Sequence, residues 1–236
     1  MLSRENLEKI LEIINGCLLG DGNIQNKRDK YFYFKLSAKD KNLLEYVKKL
    51  FESLGIKKSW IVLDNKITNV HSFGFYMNSY FDVAFLKEFY YKWYQKENGK
   101  TIKVVPKDLK LTPTTLFFWY LGDGSLIKRR NDKTRVPHIV LATNSFRKED
   151  VEFLKEKLKE LGLNFYIVES NSISGFTKKR KKSYLLFSST EDETVFKFFK
   201  IIGFYQPREI ENCLLGYKGK IKKERRVKDK WPNEED

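Results

Sequence analysis

Two aspartates stand out by the residues around them. Asp21 lies in "GCLLGDGNI" (16–24) and Asp123 in "WYLGDGSLI" (119–127), so a Leu-Gly-Asp-Gly sequence ends an apolar run twice in one chain. In the first run Leu7, Ile10, Leu11, Ile14 and Leu18 recur at i, i+3, i+4, which predicts a helix stopping at Gly22 with Asp21 in its final turn. A carboxylate there meets the negative end of the helix dipole, an unfavourable position. A single Asp-Gly is most often a solvated turn that ends a helix; two at equivalent places point to a shared requirement. Brought together, the two carboxylates repel unless a cation sits between them. Mg²⁺ suits such a place, because it prefers oxygen ligands and is commonly held by one or two carboxylates plus water and phosphate. Beside DNA that chemistry is phosphodiester hydrolysis, with metal-bound water as the nucleophile.

The elements that must position the aspartates are themselves duplicated. After the first Asp-Gly come a basic loop "NIQNKRDK", an alternating "YFYFKLS" and a helical "KDKNLLEYVKKLFESLGI". After the second come "SLIKRRNDKTR", "HIVLATNS" and "RKEDVEFLKEKLKELGL", in the same order. Gly55 and Gly162 are expected helix C-caps. Each half then continues with two strands, "SWIVLD" and "HSFGFYM" or "NFYIVES" and "SYLLFSS", and closes on a helix, "YFDVAFLKEFYYKW" or "ETVFKFFKIIG". The reading is an α/β (α+β) fold of two tandem αββαββα repeats about a pseudo-twofold axis, each with a four-stranded antiparallel sheet. The repeats span 1–99 and 113–236, the second ending in a basic tail, with a linker at 100–112. Gly16, Gly20 and Gly122 would let the two Asp-bearing helices approach closely. Pro113 suits the first turn of the second one.

Composition agrees with a polyanionic partner. The 236 residues carry 46 Lys plus Arg against 31 Asp plus Glu, a formal charge of +15. Cys17 and Cys213 have no second Cys or His at metal spacing and read as small core residues of a reducing compartment. No apolar run approaches the length of a membrane span, and the first residues lack a signal-peptide core. The expected location is therefore intracellular, cytoplasm or organelle matrix.

The residues also carry a resemblance. "INGCLLGDG" (14–22) and "LFFWYLGDG" (116–124), with "KTIKVVPKDL" and "LTPT" ahead of the second, resemble the two motifs of the single-chain, two-repeat LAGLIDADG homing endonucleases, and the similarity covers essentially the whole chain. The resemblance implies that Asp21 and Asp123 bind divalent metal, Mg²⁺ with Mn²⁺ or Ca²⁺ able to replace it. It implies that the carbonyls of Gly20 and Gly122 join them. It also implies a lysine near each centre. For one centre Lys103, three residues before Pro106, and Lys100, by its interval from Asp123, both qualify; for the other "LLGYKGK" suggests Lys218, with Lys220 behind it. The motif's first glycine is Gly16 in the first copy but Phe118 in the second, so close helix packing needs a matching asymmetry.

Double-stranded DNA is the expected partner, bound by a monomer. Alternation puts Phe32, Phe34 and Leu36 on the core face of one strand and Tyr31, Tyr33, Lys35 and Ser37 on the other. In "HIVLATN", Ile139 and Leu141 read as core, and His138, Val140, Ala142 and Asn144 face out. An outer sheet face fits the major groove, where base edges are distinguishable. The loops add Asn23, Gln25, Lys27, Arg28, Lys128, Arg129, Arg130, Arg135, Lys178, Lys179, Arg180, Lys181 and Lys182, mostly for phosphate. The function expected is a staggered double-strand break in a long pseudo-palindromic site. A non-cleaving binder on the same scaffold, an intron maturase or regulator, is the alternative. A freestanding or intron-encoded endonuclease is expected rather than an intein, which would need a nucleophilic first residue and a His-Asn end where this sequence has Met-Leu-Ser and Glu-Glu-Asp.

Overall fold

A computed structural model describes residues 2–64, 74–127, 138–173, 180–190 and 193–203. The first repeat runs α1 (Arg4–Leu19), β1 (Gly22–Lys27), β2 (Tyr31–Ala38), α2 (Lys41–Ser53), β3 (Ser59–Asp64), β4 (Gly74–Ser79) and α3 (Val83–Trp93). The second runs α4 (Pro113–Asp123), β7 (Gly124–Ile127), β8 (His138–Ala142), α5 (Lys148–Glu160), β9 (Phe165–Ile173), β10 (Arg180–Ser188) and α6 (Thr194–Ile202). The sheet orders β1-β2-β4-β3 and β7-β8-β10-β9 are equivalent, and every pair is antiparallel. The duplication read from the pattern is thus present element by element.

Local chemistry sets the boundaries. Ser3, Asp40 and Asp82 cap α1, α2 and α3 by accepting backbone N–H groups, and Thr112 caps α4 ahead of Pro113. Gly55 and Gly162 follow α2 and α5 with φ of 97° and 72°, the left-handed conformation expected of them. Helix α1 ends at Leu19, sooner than Gly22, because the Gly20 N–H turns back to the carbonyl of Cys17. Asp21 therefore stands just past its helix, whereas Asp123 is the last residue of α4.

Helices α1 and α4 lie side by side and parallel, as the sequence of contacts between them shows. Lys9 Nζ donates to Thr114 Oγ1 at 2.7 Å, Thr115 Oγ1 donates to the carbonyl of Glu12 at 3.2 Å, Gly16 faces Thr115 and Phe118, and Gly20 faces Gly122. Both sheets pack their inner faces on this pair and on α2, α3, α5 and α6. Phe32, Phe34, Leu36, Ile139 and Leu141 join the core as expected, with Ile13, Leu18, Trp93 and Trp119. The Gly16–Phe118 contact supplies the asymmetry demanded by the missing glycine: one helix gives up its side chain where the other carries a ring.

The connection between the repeats is more structured than a polar linker. Tyr94–Glu97 (β5) and Lys100–Lys103 (β6) pair as a two-stranded antiparallel hairpin, turned by Asn98 and Gly99 with φ of 48° and 73°. Asn-Gly with positive φ at both positions is a favoured two-residue hairpin turn.

Candidate active site

The backbones that carry the two aspartates meet where α1 and α4 end. A Cβ placed on Gly20 would lie 3.1 Å from the Gly122 Cα, and one on Gly122 would lie 3.1 Å from the Asp21 backbone N. No side chain separates the helix ends, so Asp21 and Asp123 leave the same point, the first exposed and the second half-buried. A small cleft beside Asp21 is lined by Cys17, Asp21, Leu36, Ser37, Leu43, Phe118, Leu121 and Gly122.

The hairpin delivers a cation to this point. Lys103, at the end of β6, donates from Nζ to the carbonyls of Gly22 at 2.9 Å and Gly20 at 3.3 Å, on either side of Asp21. Burial lowers its pKa to about 8, against the opposing pull of Asp123 and Asp21. The hairpin is tied to both repeats. Toward the first, Tyr94 Oη accepts the Ile24 N–H at 3.0 Å, covering the open edge of β1, and just ahead of the hairpin Trp93, the last residue of α3, anchors its root by donating from Nε1 to Asn15 Oδ1 at 3.2 Å. Toward the second, the Phe146 ring lies 5.7 Å from Lys103 Nζ, and the buried Asp150 carboxylate accepts the Val105 N–H. Asp150 has its pKa raised by burial. Lys100 is elsewhere: it is exposed beside the hairpin turn, opposite Glu97 in the strand register. Lys218 lies outside the described residues.

The donor set suits a hard divalent ion. It consists of carboxylate and carbonyl oxygens, and the described residues hold no cluster of three or more His, Cys, Asp or Glu. The nearby Cys17 thiol is buried, and burial raises its pKa, so it stays protonated and offers no soft thiolate.

From the aspartates the strands carry two outer faces away. In the first sheet the cross-strand row nearest Asp21 is Ser37–Tyr76–Val62, and the next is Asn23–Lys35–Asn78–Trp60. Lys35 Nζ sits 4.1 Å from the Tyr76 ring centre and Lys27 Nζ 5.5 Å from that of Tyr33. Tyr31 is 63% exposed, as alternation predicts. Tyr33 departs from the expectation of an open reader: it is 9% exposed, because it stacks on Tyr80, which stacks on Trp60. Asn23 and Gln25 bond to each other, and Arg28 lies exposed in the turn with φ of 56°.

In the second sheet the corresponding rows are Ala142–Leu185–Val168 and Ser125–Val140–Phe187–Tyr166. His138 is on the outer face but only 5% exposed, held between Tyr166 and Phe187 with Nδ1 bonded to the Ser188 carbonyl, so it is not the open reader expected. Asn144 is exposed in the turn after β8. Lys182 pairs with Glu169 at 2.9 Å. Arg180 and Lys181 begin β10, and Lys128, Arg129, Arg130, Arg135, Lys178 and Lys179 lie outside the described residues. The sequence reading missed Trp60, Tyr76 and Asn78, whose outward placement follows from the alternation of "SWIVLD" and "GFYMNS". Asn78 Oδ1 is buried without a hydrogen-bond partner among the described residues.

The model of the LAGLIDADG DNA endonuclease family matches residues 11–193, spanning both aspartates and both sheets. The chain belongs to this family. Among curated proteins it is 31% identical to an uncharacterized protein of Methanocaldococcus jannaschii, over 89% of this chain and 76% of that one. It is 27% identical to the "Probable intron-encoded endonuclease 1" of Wickerhamomyces canadensis, over 74% and 72%. Among solved structures, the homing endonuclease I-WcaI bound to its DNA recognition sequence shares the fold with a TM-score of 0.65 and 24% identity, covering 91% of this chain and 88% of that one. I-DmoI in complex with DNA and Mn gives a TM-score of 0.50 at 14% identity, over 85% and 99%. The N-terminal LAGLIDADG domain of DUF199/WhiA gives 0.51 at 16%, over 88% and 87%. As a LAGLIDADG protein the chain thus shows the two-repeat architecture throughout.

Proposed function

We propose that this LAGLIDADG protein is a site-specific DNA endonuclease that acts as a monomer and makes a staggered double-strand break in a long, imperfectly palindromic site. The observation that carries the reading is the convergence of Asp21 and Asp123 at two parallel helix ends, with Gly20 and Gly122 in backbone contact. Two unequal sheets on one chain support a target with two unequal halves. The solved structures of I-WcaI and I-DmoI, with DNA and with DNA and Mn, support a DNA substrate and a divalent ion.

Asp21, Asp123 and the carbonyls of Gly20 and Gly122 would hold Mg²⁺. When bound, it supplies Lewis-acid stabilisation of the phosphate oxygens and activates water. The protein's own groups do the rest. Lys103 occupies one face of the Gly20 carbonyl, whose second lone pair stays usable. By gripping Gly20 and Gly22 it fixes the backbone on both sides of Asp21, and its ammonium adds positive charge within the field of both aspartates. The overall charge of +15 favours association with the duplex.

Asp21→Asn and Asp123→Asn test the assignment, since each keeps shape and removes charge. Each variant is expected to bind target DNA as the parent does and to lose cleavage; a variant that cut at the parent's rate would refute the assignment. Tight binding by the parent without cutting in any divalent ion would make it the non-cleaving binder, a maturase or regulator.

A further inference from the structure

The two outer faces match in register and oppose each other in chemistry. Next to Asp21 the first sheet offers the Ser37 and Tyr76 hydroxyls, and at the same places next to Asp123 the second offers Ala142 and Leu185. One row further out, Lys35 and Asn78 are answered by Val140 and Phe187. Val140 and Phe187 stand apart from the contiguous core cluster, yet they are buried, only 7% and 8% exposed. Phe187 packs on the outer face against Tyr166, ring centres 5.9 Å apart, and His138 beside them spends Nδ1 on the Ser188 carbonyl. Among the described residues these two rows are largely apolar: Ser125 is the one aliphatic hydroxyl, at the β7 edge, the Tyr166 ring is 39% exposed, and Leu185 and Val168 are half-buried.

A major-groove base edge offers donors, acceptors and, on thymine alone among the four bases, a C5 methyl group. Hydrogen-bonding edges pressed onto an apolar surface lose water without replacement, whereas a methyl group gains by burial. We propose that the C-terminal sheet reads its half-site through thymine methyl groups, with Leu185 and Val168, in the register row nearest the Asp123 end of the sheet, as principal contacts, while the N-terminal sheet reads the other half-site by hydrogen bonds. The proposal rests on the endonuclease reading and specifies how the target is chosen.

The test starts with a duplex recovered by cleavage from a randomised library in Mg²⁺, with affinity then measured on the Asp21→Asn protein. Exchanging thymine for deoxyuridine removes only the methyl group. Affinity is expected to fall about fourfold per contacted methyl in one half-site and to stay unchanged in the other. Leu185→Ala and Val168→Ala, both outside the core, are expected to abolish the deoxyuridine penalty in the sensitive half-site. Equal sensitivity of both half-sites, or a penalty that survives in both variants, overturns the proposal and leaves the endonuclease reading standing. Recovery of no duplex at all overturns that reading, and the proposal with it.

Discussion

Replacing Gly16 with alanine tests whether helix contact sets the spacing of the two carboxylates. A Cβ here would lie 2.4 Å from the Thr115 carbonyl oxygen and 2.7 Å from the Phe118 Cβ. Both atoms are fixed to the backbone of α4, so neither can swing aside. Restoring even a 3.0 Å separation requires the helices to part by about 0.6 Å. Two effects compete in stability. Alanine gains about 1 kcal/mol over glycine inside a helix, and overpacking costs about 1–3 kcal/mol. The net loss is at most about 2 kcal/mol, a fall in Tm of no more than roughly 8 °C for a chain of this size. Chemistry is less forgiving, because a misplacement approaching 1 Å can cost about 100-fold in rate. Thermal melts should thus show a small decrease, anisotropy near-parental DNA affinity, and single-turnover cleavage a loss of about 10- to 100-fold. Cleavage at the parent rate with unchanged Tm would refute the argument that the α1–α4 contact holds the aspartates in place.

Two further outcomes follow from Lys103. Lys103→Ala should lower single-turnover cleavage by about 100-fold or more, the scale of losing one preorganised electrostatic group, while Lys100→Ala, at the exposed hairpin turn, should leave it unchanged. The same lysine gives stability a pH dependence in the metal-free protein. Its folded pKa of about 8 lies below the unfolded value of 10.5, so between those limits the unfolded chain holds a proton the folded one has released. Urea unfolding in EDTA should therefore show the parent gaining stability over Lys103→Met as pH rises from 8 toward 10; a difference that is flat or falls with pH contradicts the burial of this ammonium.

Much of this was legible in the pattern of residues. The order of helices and strands follows from periodicity, which requires each element to bury one face, and a repeat that occurs twice is hard to misread. The meeting of Asp21 and Asp123 follows from glycines in matched positions. What alternation cannot reveal is exposure. It puts Tyr33 and His138 on the outer face, but only the neighbouring strands show that Tyr80 and Phe187 cover them. Helix α1 stops early because the Gly20 N–H bonds the Cys17 carbonyl, a turn that apolar spacing does not encode. The hairpin between the repeats did have a signal, Asn98-Gly99, but it is flanked by Gln95, Lys96, Glu97 and Lys100. Polar flanks read as loop when the strands have no core to face.

That hairpin bears on how such proteins can be recombined. Its lysine serves the turn after α1 in the first repeat, yet its footing includes Phe146 and Asp150 of the second. The molecule is therefore three interlocked parts and not two separable ones. A hybrid that joins either repeat to a foreign partner inherits a working centre only if residues 94–105 are kept and the partner reproduces the contacts they lose.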